Sequence, residues 1–409
     1  MEFNEDEYDI VDADELINKL ETLEDGEETT LTAEEANQEG LVNESLAVFS
    51  GHTDSVLAVA FNKQNWPQVA TGGVDDKCFL FNIKENGIEE EGEGVDKEED
   101  EEQVEEPADL YTLQGFNDSI VDVAFSASGK FLAVASYDGE VKIYNTSGKL
   151  LLTLSGPTDV EYITWHPKGE ILTAGGGDGT IYVWGIPSGT IINVLAGHVD
   201  AVTCGAFNYK GNIYVSGSMD GSVKVWKIKT GECLYTFKPD TYNWHEDGIV
   251  SLAINPDAPV LISGSRDGTV CISNLKSYKV IVKYNHIKPD VNCSVETCGF
   301  CSVCNWVASG GMDGTLKIYD IETSKLRLTL EHDGGITKLI WHPFSPIIFV
   351  ACLDGCIYVW DARTGEKLKQ IRAHNDIILD MDIYVPPTDL KTTYILTGSD
   401  DKTCQLFSA

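Results

Sequence analysis

The sequence predicts an all-β fold of eight similar four-stranded sheets arranged in a closed ring. Three observations support it: a repeat of mostly 40 to 47 residues, a turn aspartate in each repeat, and an aromatic residue six positions after most of these aspartates. Successive aspartates are 63, 40, 42, 47, 46, 41 and 47 residues apart. They are Asp75, Asp138, Asp178, Asp220, Asp267, Asp313, Asp354 and Asp401. A single sheet of this size cannot bury both of its faces, so neighbouring repeats must stack.

The fourth repeat shows the strand pattern most clearly. Gly197 and His198 precede two short apolar runs, and Asp220-Gly221 follows as a tight turn before a third run that ends at Trp226. An Asp-Gly pair between two apolar runs is a strong hairpin signal, because glycine takes the positive φ that such a turn needs. A fourth run ends at Phe237.

The repeat length and the Gly-His to Trp-Asp pattern resemble the WD40 blades of β-propellers over residues 45–409. The resemblance implies, in each blade, a hydrogen-bonded set of a histidine, a strand-two Ser or Thr, the turn aspartate and a strand-three Trp. We expect only the fourth blade to hold a full set, and we find no Gly-His equivalent in blade six before Cys293. With the eight turn aspartates, the residues expected to be structural are His52, His198, His332, His374, Trp184, Trp226 and Trp360.

Most of the net charge of −37 lies in two acidic segments. Residues 1–44 carry −16 and residues 85–109 carry −13, which leaves −8 for the other 340 residues. Both are too acidic to fold alone. We therefore expect a disordered N-terminal tail over 1–44 and a disordered surface loop over 85–109 inside an eight-bladed propeller that spans 45–409. A strand over 44–49 is expected to close the ring by joining the last blade.

Charge and composition exclude several classes of function. Binding to a nucleic-acid backbone needs clustered Lys and Arg, so we expect no direct nucleic-acid ligand. The sequence starts without the basic and apolar regions of a signal peptide, and no run of about 18 apolar residues occurs. We expect a monomer of the cytoplasm, with the nucleus as a second compartment, and no membrane insertion. The odd count of 11 cysteines favours buried thiols over disulfides.

Catalysis and cofactors are not expected. Four of the eight histidines belong to the blade starts, and no Ser-His-Asp or Cys-His set forms without them. Cys293, Cys298, Cys301 and Cys304 suggest zinc, but they share one strand and turn, whereas a zinc site needs a tetrahedron of ligands. Small buried or turn residues are the favoured interpretation.

Acidic residues precede the first strand of nearly every blade, on loops that emerge on one rim. They are Asp54, Asp118, Asp159, Glu161, Asp200, Glu246, Asp247, Asp333 and Asp376, with Asp290 in that place in blade six. Residues before the turn aspartates lie on the same face by the geometry of the family, namely Tyr137, Met219, Arg266, Met312, Leu353 and Asp400, and Trp244 lies in a nearby aromatic loop. An acidic ring with apolar anchors suits a basic peptide. The alternative is that these aspartates only cap their turns.

The C-terminal half, with Met312 to Asp320 and Trp360 to Gly365, resembles the angio-associated migratory cell protein family. That family includes a dedicated yeast chaperone of a large-subunit ribosomal protein. The resemblance implies a non-enzymatic escort that binds the basic N-terminal segment of a nascent ribosomal protein, with the two acidic segments beside the ring adding attraction. The alternatives are a ubiquitin-ligase substrate receptor, which the string Trp360-Asp361-Ala362-Arg363 also fits, and a signalling adaptor in cell migration.

Overall fold

The computed structural model describes residues 44–83, 108–286 and 293–409. These residues form 32 strands in eight antiparallel four-stranded sheets, which confirms the predicted eight-bladed, all-β propeller. The predicted tail up to residue 43, residues 85–107 of the predicted loop, and Asp290 lie outside the described residues. In the part of the chain that the structure describes, no helix is long and apolar enough to span a membrane.

The first four blades follow one another along the chain, and each runs from its inner to its outer strand. Blade one is β2 (Val56–Phe61), β3 (Gln68–Gly73), β4 (Cys78–Asn82) and β5 (Ala108–Leu113). Blade two is β6 (Ile120–Phe125), β7 (Phe131–Ser136), β8 (Glu140–Asn145) and β9 (Leu150–Ser155). Blade three is β10 (Val160–Trp165), β11 (Ile171–Gly176), β12 (Thr180–Gly185) and β13 (Thr190–Ala196). Blade four is β14 (Val202–Phe207), β15 (Ile213–Ser218), β16 (Val223–Lys227) and β17 (Glu232–Phe237).

The second four blades repeat the plan. Blade five is β18 (Ile249–Ile254), β19 (Val260–Ser265), β20 (Thr269–Asn274) and β21 (Lys279–Asn285). Blade six is β22 (Thr297–Phe300), β23 (Trp306–Gly310), β24 (Thr315–Asp320) and β25 (Lys325–Glu331). Blade seven is β26 (Ile336–Trp341), β27 (Ile347–Cys352), β28 (Cys356–Asp361) and β29 (Glu366–Arg372). Blade eight is β30 (Ile378–Tyr384), β31 (Tyr394–Ser399), β32 (Cys404–Ser408) and, as its outer strand, β1 (Ala47–Phe49).

The last blade is completed by the strand that comes first in the chain. β1 pairs antiparallel with β32, with Ala47 opposite Leu406 and Phe49 opposite Cys404. Phe49 then packs against the rings of Phe79 and Phe81 in blade one, at centroid distances of 5.1 and 4.5 Å. The strand therefore joins the two ends of the ring by backbone pairing and by apolar contact.

Apolar packing between adjacent sheets forms the core. Val215 and Val225 of blade four, for example, share one buried cluster with Ile249, Leu261 and Cys271 of blade five. The middle strands are buried on both faces, because each blade lies between two others. Their β-branched and apolar residues therefore stabilise the fold through area removed from water, at about 25 cal/mol per Å².

Side chains of the inner strands also bond adjacent blades around the central channel. Asp380 and Asp382 in β30 accept the backbone N–H groups of Val59 and Phe61 in β2, both at 3.0 Å. Asp122 in β6 accepts the N–H of Ile163 in β10 at 2.9 Å. These contacts fix the register of one blade on the next.

Candidate protein-binding face

Blade four holds the complete hydrogen-bonded set that the sequence predicts. Trp226 Nε1–H donates to Ser216 Oγ at 2.8 Å, Ser216 Oγ lies 2.8 Å from His198 Nε2, and His198 Nδ1 lies 3.0 Å from Asp220. The indole can only donate and the carboxylate can only accept. The proton therefore lies on Nδ1 of a neutral His198, and every member of the chain has a partner.

The electrostatics of this set keep the histidine neutral and the aspartate charged. Burial lowers the pKa of His198 and outweighs the neighbouring Asp220 carboxylate. Burial by itself would raise the pKa of Asp220, yet the bonds from His198, Ser222 and the N–H of Val199 hold that pKa well below its usual value. These hydrogen bonds therefore hold the loop that carries Val199 and Asp200 against the turn that carries Asp220.

Three further blades keep the set without the tryptophan. His52 contacts Thr71 and Asp75, both at 2.9 Å, and His374 contacts Thr397 at 2.8 Å and Asp401 at 2.9 Å. In blade five the ring nitrogens of His245 lie 2.8 Å from Ser263 Oγ and 2.7 Å from Thr269 Oγ1, and the Asp267 carboxylate lies 3.8 Å away. The loops before the first strands of blades one, four, five and eight are therefore held alike.

Blade six contradicts the sequence interpretation, because His286 takes the place that seemed empty. His286 is fully buried, and its ring nitrogens lie 2.8 Å from Ser309 Oγ and 3.1 Å from Thr315 Oγ1. Asn285 precedes it instead of glycine, which hid the motif. Its separation from the turn aspartate Asp313 is the same as that of His374 from Asp401, and this spacing was the signal that could have found it.

The remaining blades replace missing members in different ways. Blade seven has Ala351 where the hydroxyl is absent, and Trp360 Nε1–H donates directly to His332 Nε2 at 3.0 Å. The turn aspartate of that blade, Asp354, instead accepts the hydroxyl of Tyr358 at 2.6 Å. In blade two, which has no histidine at its start, Asp138 binds the N–H of Asn117 at 3.2 Å. In blade three Trp184 is buried, and Asp178 accepts the N–H and the hydroxyl of Thr180 in its own turn.

One repeated backbone bond places the predicted ring and anchors on the same face. We call the loop before each first strand the D–A loop and the turn between the second and third strands the B–C turn. The N–H of the B–C residue donates to the carbonyl that follows the D–A acid in five blades. The bonds are Val74 to Ser55 (2.9 Å), Tyr137 to Ser119 (2.9 Å), Met219 to Ala201 (2.8 Å), Arg266 to Gly248 (2.9 Å) and Asp400 to Ile377 (3.1 Å).

The other three blades show the same bond with small shifts. Gly177 N–H donates to Asp159 O at 2.9 Å, Met312 to Ser294 O at 3.0 Å and Leu353 to Gly335 O at 2.8 Å. In blade six the residue before Ser294 is Cys293, so a cysteine stands in the position of the acid there. We call the surface formed by the eight D–A loops and B–C turns the acidic face.

The ring carboxylates are capped but not neutralised. Five of them accept the N–H of the next residue through one oxygen: Asp54 (2.9 Å), Asp118 (2.8 Å), Asp200 (2.8 Å), Asp247 (2.6 Å) and Asp376 (2.8 Å). All five are exposed. Within residues 44–83, 108–286 and 293–409, none of the nine predicted ring acids forms an ion pair with Lys, Arg or His. Each of the five therefore uses one oxygen to cap its turn and keeps a second oxygen on an exposed side chain.

The negative potential of this face is visible at Tyr137. Its side chain is 42% exposed, yet the carboxylates of Glu161, Asp159 and, after a small burial effect, Asp118 raise its pKa. Two of these acids belong to blade three and one belongs to blade two. Burial, and then Asp159, likewise raise the pKa of Glu161. A bound cation would relieve this repulsion between like charges.

The anchors differ in how much surface they offer. Met219, Met312 and Leu353 are half-buried, and Met219 lies against Gly248 of the next blade, where an added Cβ would come within 2.9 Å of its sulfur. Arg266 is exposed and places one cation on the acidic face. The face is therefore an acidic rim with apolar side chains between the carboxylates, and it is interrupted in blade five.

Trp244 was predicted to bind a partner, and the structure shows that this is wrong. The indole is only 2% exposed, its Nε1–H donates to Gly221 O at 2.9 Å, and it stacks on Phe237 at 4.9 Å. It occupies the position before His245 that glycine holds before His52 and His198. Trp244 is a core residue that fills the junction of blades four and five.

The acidic segments were expected beside the ring, but the described residues that border them lie on the opposite face. Ile83 N–H donates to Pro67 O, in the turn between the first and second strands of blade one, and Asn82 Nδ2–H donates to Asp109 at 3.1 Å. Glu44 pairs at 2.8 Å with Lys369, which also reaches Ser408 O at the last residue of β32. Strands of about six residues separate these points from the acidic face.

Two other sequence motifs are used within the scaffold. Among the described residues, no group of three or more His, Cys, Asp or Glu is placed to hold a metal ion, and Cys301 is buried. Arg363 of the Trp360 to Arg363 string is held by Asp361, with its Nη2 2.6 Å from the carboxylate. That guanidinium is thus engaged by its own turn.

This fold and face define a WD40-repeat propeller. The chain belongs to the family described as the IFT122 first β-propeller, whose model matches residues 159–409, and the WD domain, G-beta repeat matches residues 43–82 and 108–145.

The chain is homologous to the angio-associated migratory cell protein of Canis lupus familiaris, with 28% identity over 387 residues that cover 90% of this chain and 82% of the relative. It is also homologous to the ribosome assembly protein SQT1 of Saccharomyces cerevisiae, with 24% identity over 419 residues that cover 94% and 91%. The crystal structure of Chaetomium thermophilum Sqt1 bound to the N-terminus of the ribosomal protein L10 superposes with a TM-score of 0.77, at 21% identity, over 90% of this chain and all (100%) of that one.

Proposed function

We propose that this protein is a non-enzymatic escort that holds the basic N-terminal segment of a nascent large-subunit ribosomal protein on its acidic face. The observation that carries the proposal is the rim of exposed carboxylates, each with an oxygen free of the turn, set among Tyr137, Met219 and Leu353. Two homologies support it, since one relative is named a ribosome assembly protein and a similar fold is seen bound to the N-terminus of L10.

The chemistry of the face suits an extended cationic segment. Arg and Lys side chains of the ligand would pair with carboxylates such as Asp54, Asp118 and Asp200, which are exposed and use only one oxygen each to cap their turns. Because these carboxylates repel one another, a cation gains more from the group than from a single acid. Half-buried Met219 and Leu353 supply apolar contact, which holds the ligand after electrostatic encounter.

The charge of the ring is tested by replacements that keep the turn caps. In Asp54→Asn, Asp200→Asn and Asp376→Asn combined, the amide oxygen still accepts the next N–H, but three negative charges are lost. We expect the affinity for a synthetic peptide of the L10 N-terminus, measured by isothermal titration at 0.15 M salt, to fall at least about 100-fold, at roughly 1 kcal/mol per charge.

The control removes the same charge from the opposite face. Asp257→Asn, Asp389→Asn and Glu322→Gln combined should leave affinity within about twofold of the wild type, because that face is farther away than the Debye length of about 8 Å. Equal losses in the two variants, or full affinity in the ring variant, would show that the ring does not recognise the peptide. Melting temperatures of both variants check that the fold is kept.

A further inference from the structure

A cavity of about 600 Å³ opens on the face opposite the ring, between blades four and five. Its walls come from the turn after β14, the turn after β18 and the turn between β20 and β21. Ile213, Ile254 and Leu275 are apolar residues of its lining, and Tyr209 and Tyr278 are aromatic ones. We call it the basal cavity.

The rim of the basal cavity is mainly cationic. Lys210 and Lys276 are exposed there, against the single carboxylate of Asp257. Lys168 of blade three adds a third ammonium, with Nζ 3.8 Å from the centre of the Tyr209 ring. Since strands of about six residues separate the two faces, by about 20 Å, salt screens the cavity from the acidic ring.

The two tyrosines are placed as anchors. Tyr209 is 61% exposed although its ring is large and apolar. Tyr278 has a φ of +54°, at the turn position where blades two, three, four and seven have glycine at φ values of 69 to 76°. A bulky residue in the left-handed region is uncommon and costs conformational energy. Tyr278 keeps this backbone while it stacks on Tyr235 at 4.8 Å and lines the cavity.

We propose that the basal cavity is a second docking site, which takes an acidic segment of a partner protein that carries a large apolar side chain. The apolar residue enters between Tyr209 and Tyr278, and the flanking carboxylates meet Lys168, Lys210 and Lys276. Tyrosine is one of the common anchor residues of protein interfaces. The propeller then binds a cationic segment on one face and an anionic segment on the other, because each field is screened before it reaches the other face.

The lining of the basal cavity favours a peptide over a nucleic acid. The cavity has a carboxylate of its own, Asp257, and only three lysines beside it, whereas binding to a nucleic-acid backbone needs a longer row of cations. A short acidic segment needs only two or three cations. The apolar lining residues Ile213, Ile254 and Leu275 also suit an inserted apolar side chain better than a phosphate.

The test uses the full chain and a fluorescein-labelled, glutamate-rich peptide with one central phenylalanine. Anisotropy should show saturable binding that weakens at least about tenfold in Lys210→Glu, Lys276→Glu combined, and also when alanine replaces the phenylalanine of the peptide. Lys130→Glu, Lys149→Glu combined, which changes the same charge on the same face in blade two, should bind like the wild type. Tyr209→Ala, at a side chain that is 61% exposed, should keep the melting temperature and lose affinity.

Several results would overturn the proposal. They are no saturable binding by the wild type, equal losses in the blade-two control, and unchanged affinity in Tyr209→Ala. Binding of a labelled single-stranded RNA in preference to the peptide would also overturn it, and would assign the lysines to a nucleic acid. The L10 peptide of the acidic face should bind the Lys210→Glu, Lys276→Glu variant normally, so failure of this proposal is distinguishable from failure of the proposed function.

Discussion

His286 shows how one buried side chain fixes a loop to its blade. Its Nε2 lies 3.1 Å from the carbonyl of Thr315, which can only accept, so Nε2 carries the proton and Nδ1 accepts the hydroxyl of Ser309 at 2.8 Å. A neutral ring therefore satisfies both partners. Loss of the ring would remove a buried acceptor from the Ser309 hydroxyl and one of the donors to the Thr315 carbonyl, which also accepts the N–H of Gly311 at 3.1 Å.

We predict that His286→Ala lowers the free energy of unfolding by about 2 kcal/mol or more, because unpaired buried polar groups are costly. Urea denaturation measures the loss. His166→Ala is the matched control, since His166 is only half-buried and bonds to Gly211 O at 3.1 Å, and it should cost clearly less. Similar losses in both variants would mean that the blade-six set does not stabilise the protein.

The buried histidines also predict that acid destabilises the fold. Burial, and then Lys317, lower the pKa of His286 to about 4, and burial lowers the pKa of His52, His198, His245 and His332. An unfolded histidine titrates near pH 6.5. Below that pH the histidines of the unfolded chain bind protons, whereas those of the folded chain stay neutral until the pH reaches their lower pKa. The free energy of unfolding therefore falls as pH falls from about 6.5 towards 4.

The expected slope between pH 6.5 and 5 is up to about 1.4 kcal/mol per pH unit for each such histidine. Asp122 has the opposite effect on this slope. Burial, and then Asp380, raise the pKa of its carboxyl to about 7, although the N–H of Ile163 lowers that pKa. Protonation of Asp122 therefore favours the folded state as pH falls. The combined effect of the five histidines on the slope is larger than the opposite effect of this one carboxyl. Denaturation at several pH values should show a shallower slope in His286→Gln, and an unchanged slope would refute the assignment.

At the scale of the elements, β1 is the strand on which ring closure depends. It supplies the outer edge of blade eight and inserts Phe49 between Phe79 and Phe81 of blade one, so two blades lose contacts when it is removed. Without it, the free edge of β32 exposes unpaired backbone groups. The strand has only three residues, Ala47–Phe49, which is shorter than the span 44–49 expected from sequence.

We predict that deletion of residues 1–50 lowers the melting temperature far more than deletion of residues 1–40, because only the first deletion removes β1. Scanning calorimetry of the two truncated proteins makes the comparison. Phe49→Ala in the full chain should cost about 3–5 kcal/mol, as a buried Phe usually does. Equal melting temperatures of the two truncations would show that β1 does not close the ring.

Sequence periodicity could predict the elements because the hairpin aspartates and glycines recur wherever a turn is needed. It could not predict what fills a position when the motif residue changes. Trp244 replaces a glycine beside His245 and was mistaken for a surface anchor, and Asn285 replaces one beside His286 and hid a structural histidine. Tertiary packing decides which residue can take such a position. The indole of Trp244, for example, fills a gap between two blades that local sequence does not reveal.

At the scale of the whole molecule, the proposed function gives different roles to the ring acids and to the apolar anchors beside them. The position of the acids was predictable, because every D–A loop emerges on the same rim. Sequence could not predict whether these carboxylates are already paired within the protein. Only the structure shows that one oxygen caps the turn and that the described acids of the ring have no Lys, Arg or His partner. The opposite face, with its basal cavity, gave no sequence motif at all, because its residues come from three separate turns.

This division predicts that charge controls the association rate and that the apolar anchors control the dissociation rate. Exposed carboxylates steer a cationic ligand from a distance, whereas Tyr137 and Leu353 act only after contact. In stopped-flow experiments with the L10 peptide, the Asn variant of Asp54, Asp200 and Asp376 should bind several-fold more slowly, and its rate should depend less on salt than that of the wild type. Tyr137→Ala, Leu353→Ala combined should keep the wild-type association rate and salt dependence but dissociate about tenfold faster. If salt changed only the dissociation rate, or if the anchor variant associated as slowly as the Asn variant, the ring would not act as the steering field that the escort function needs.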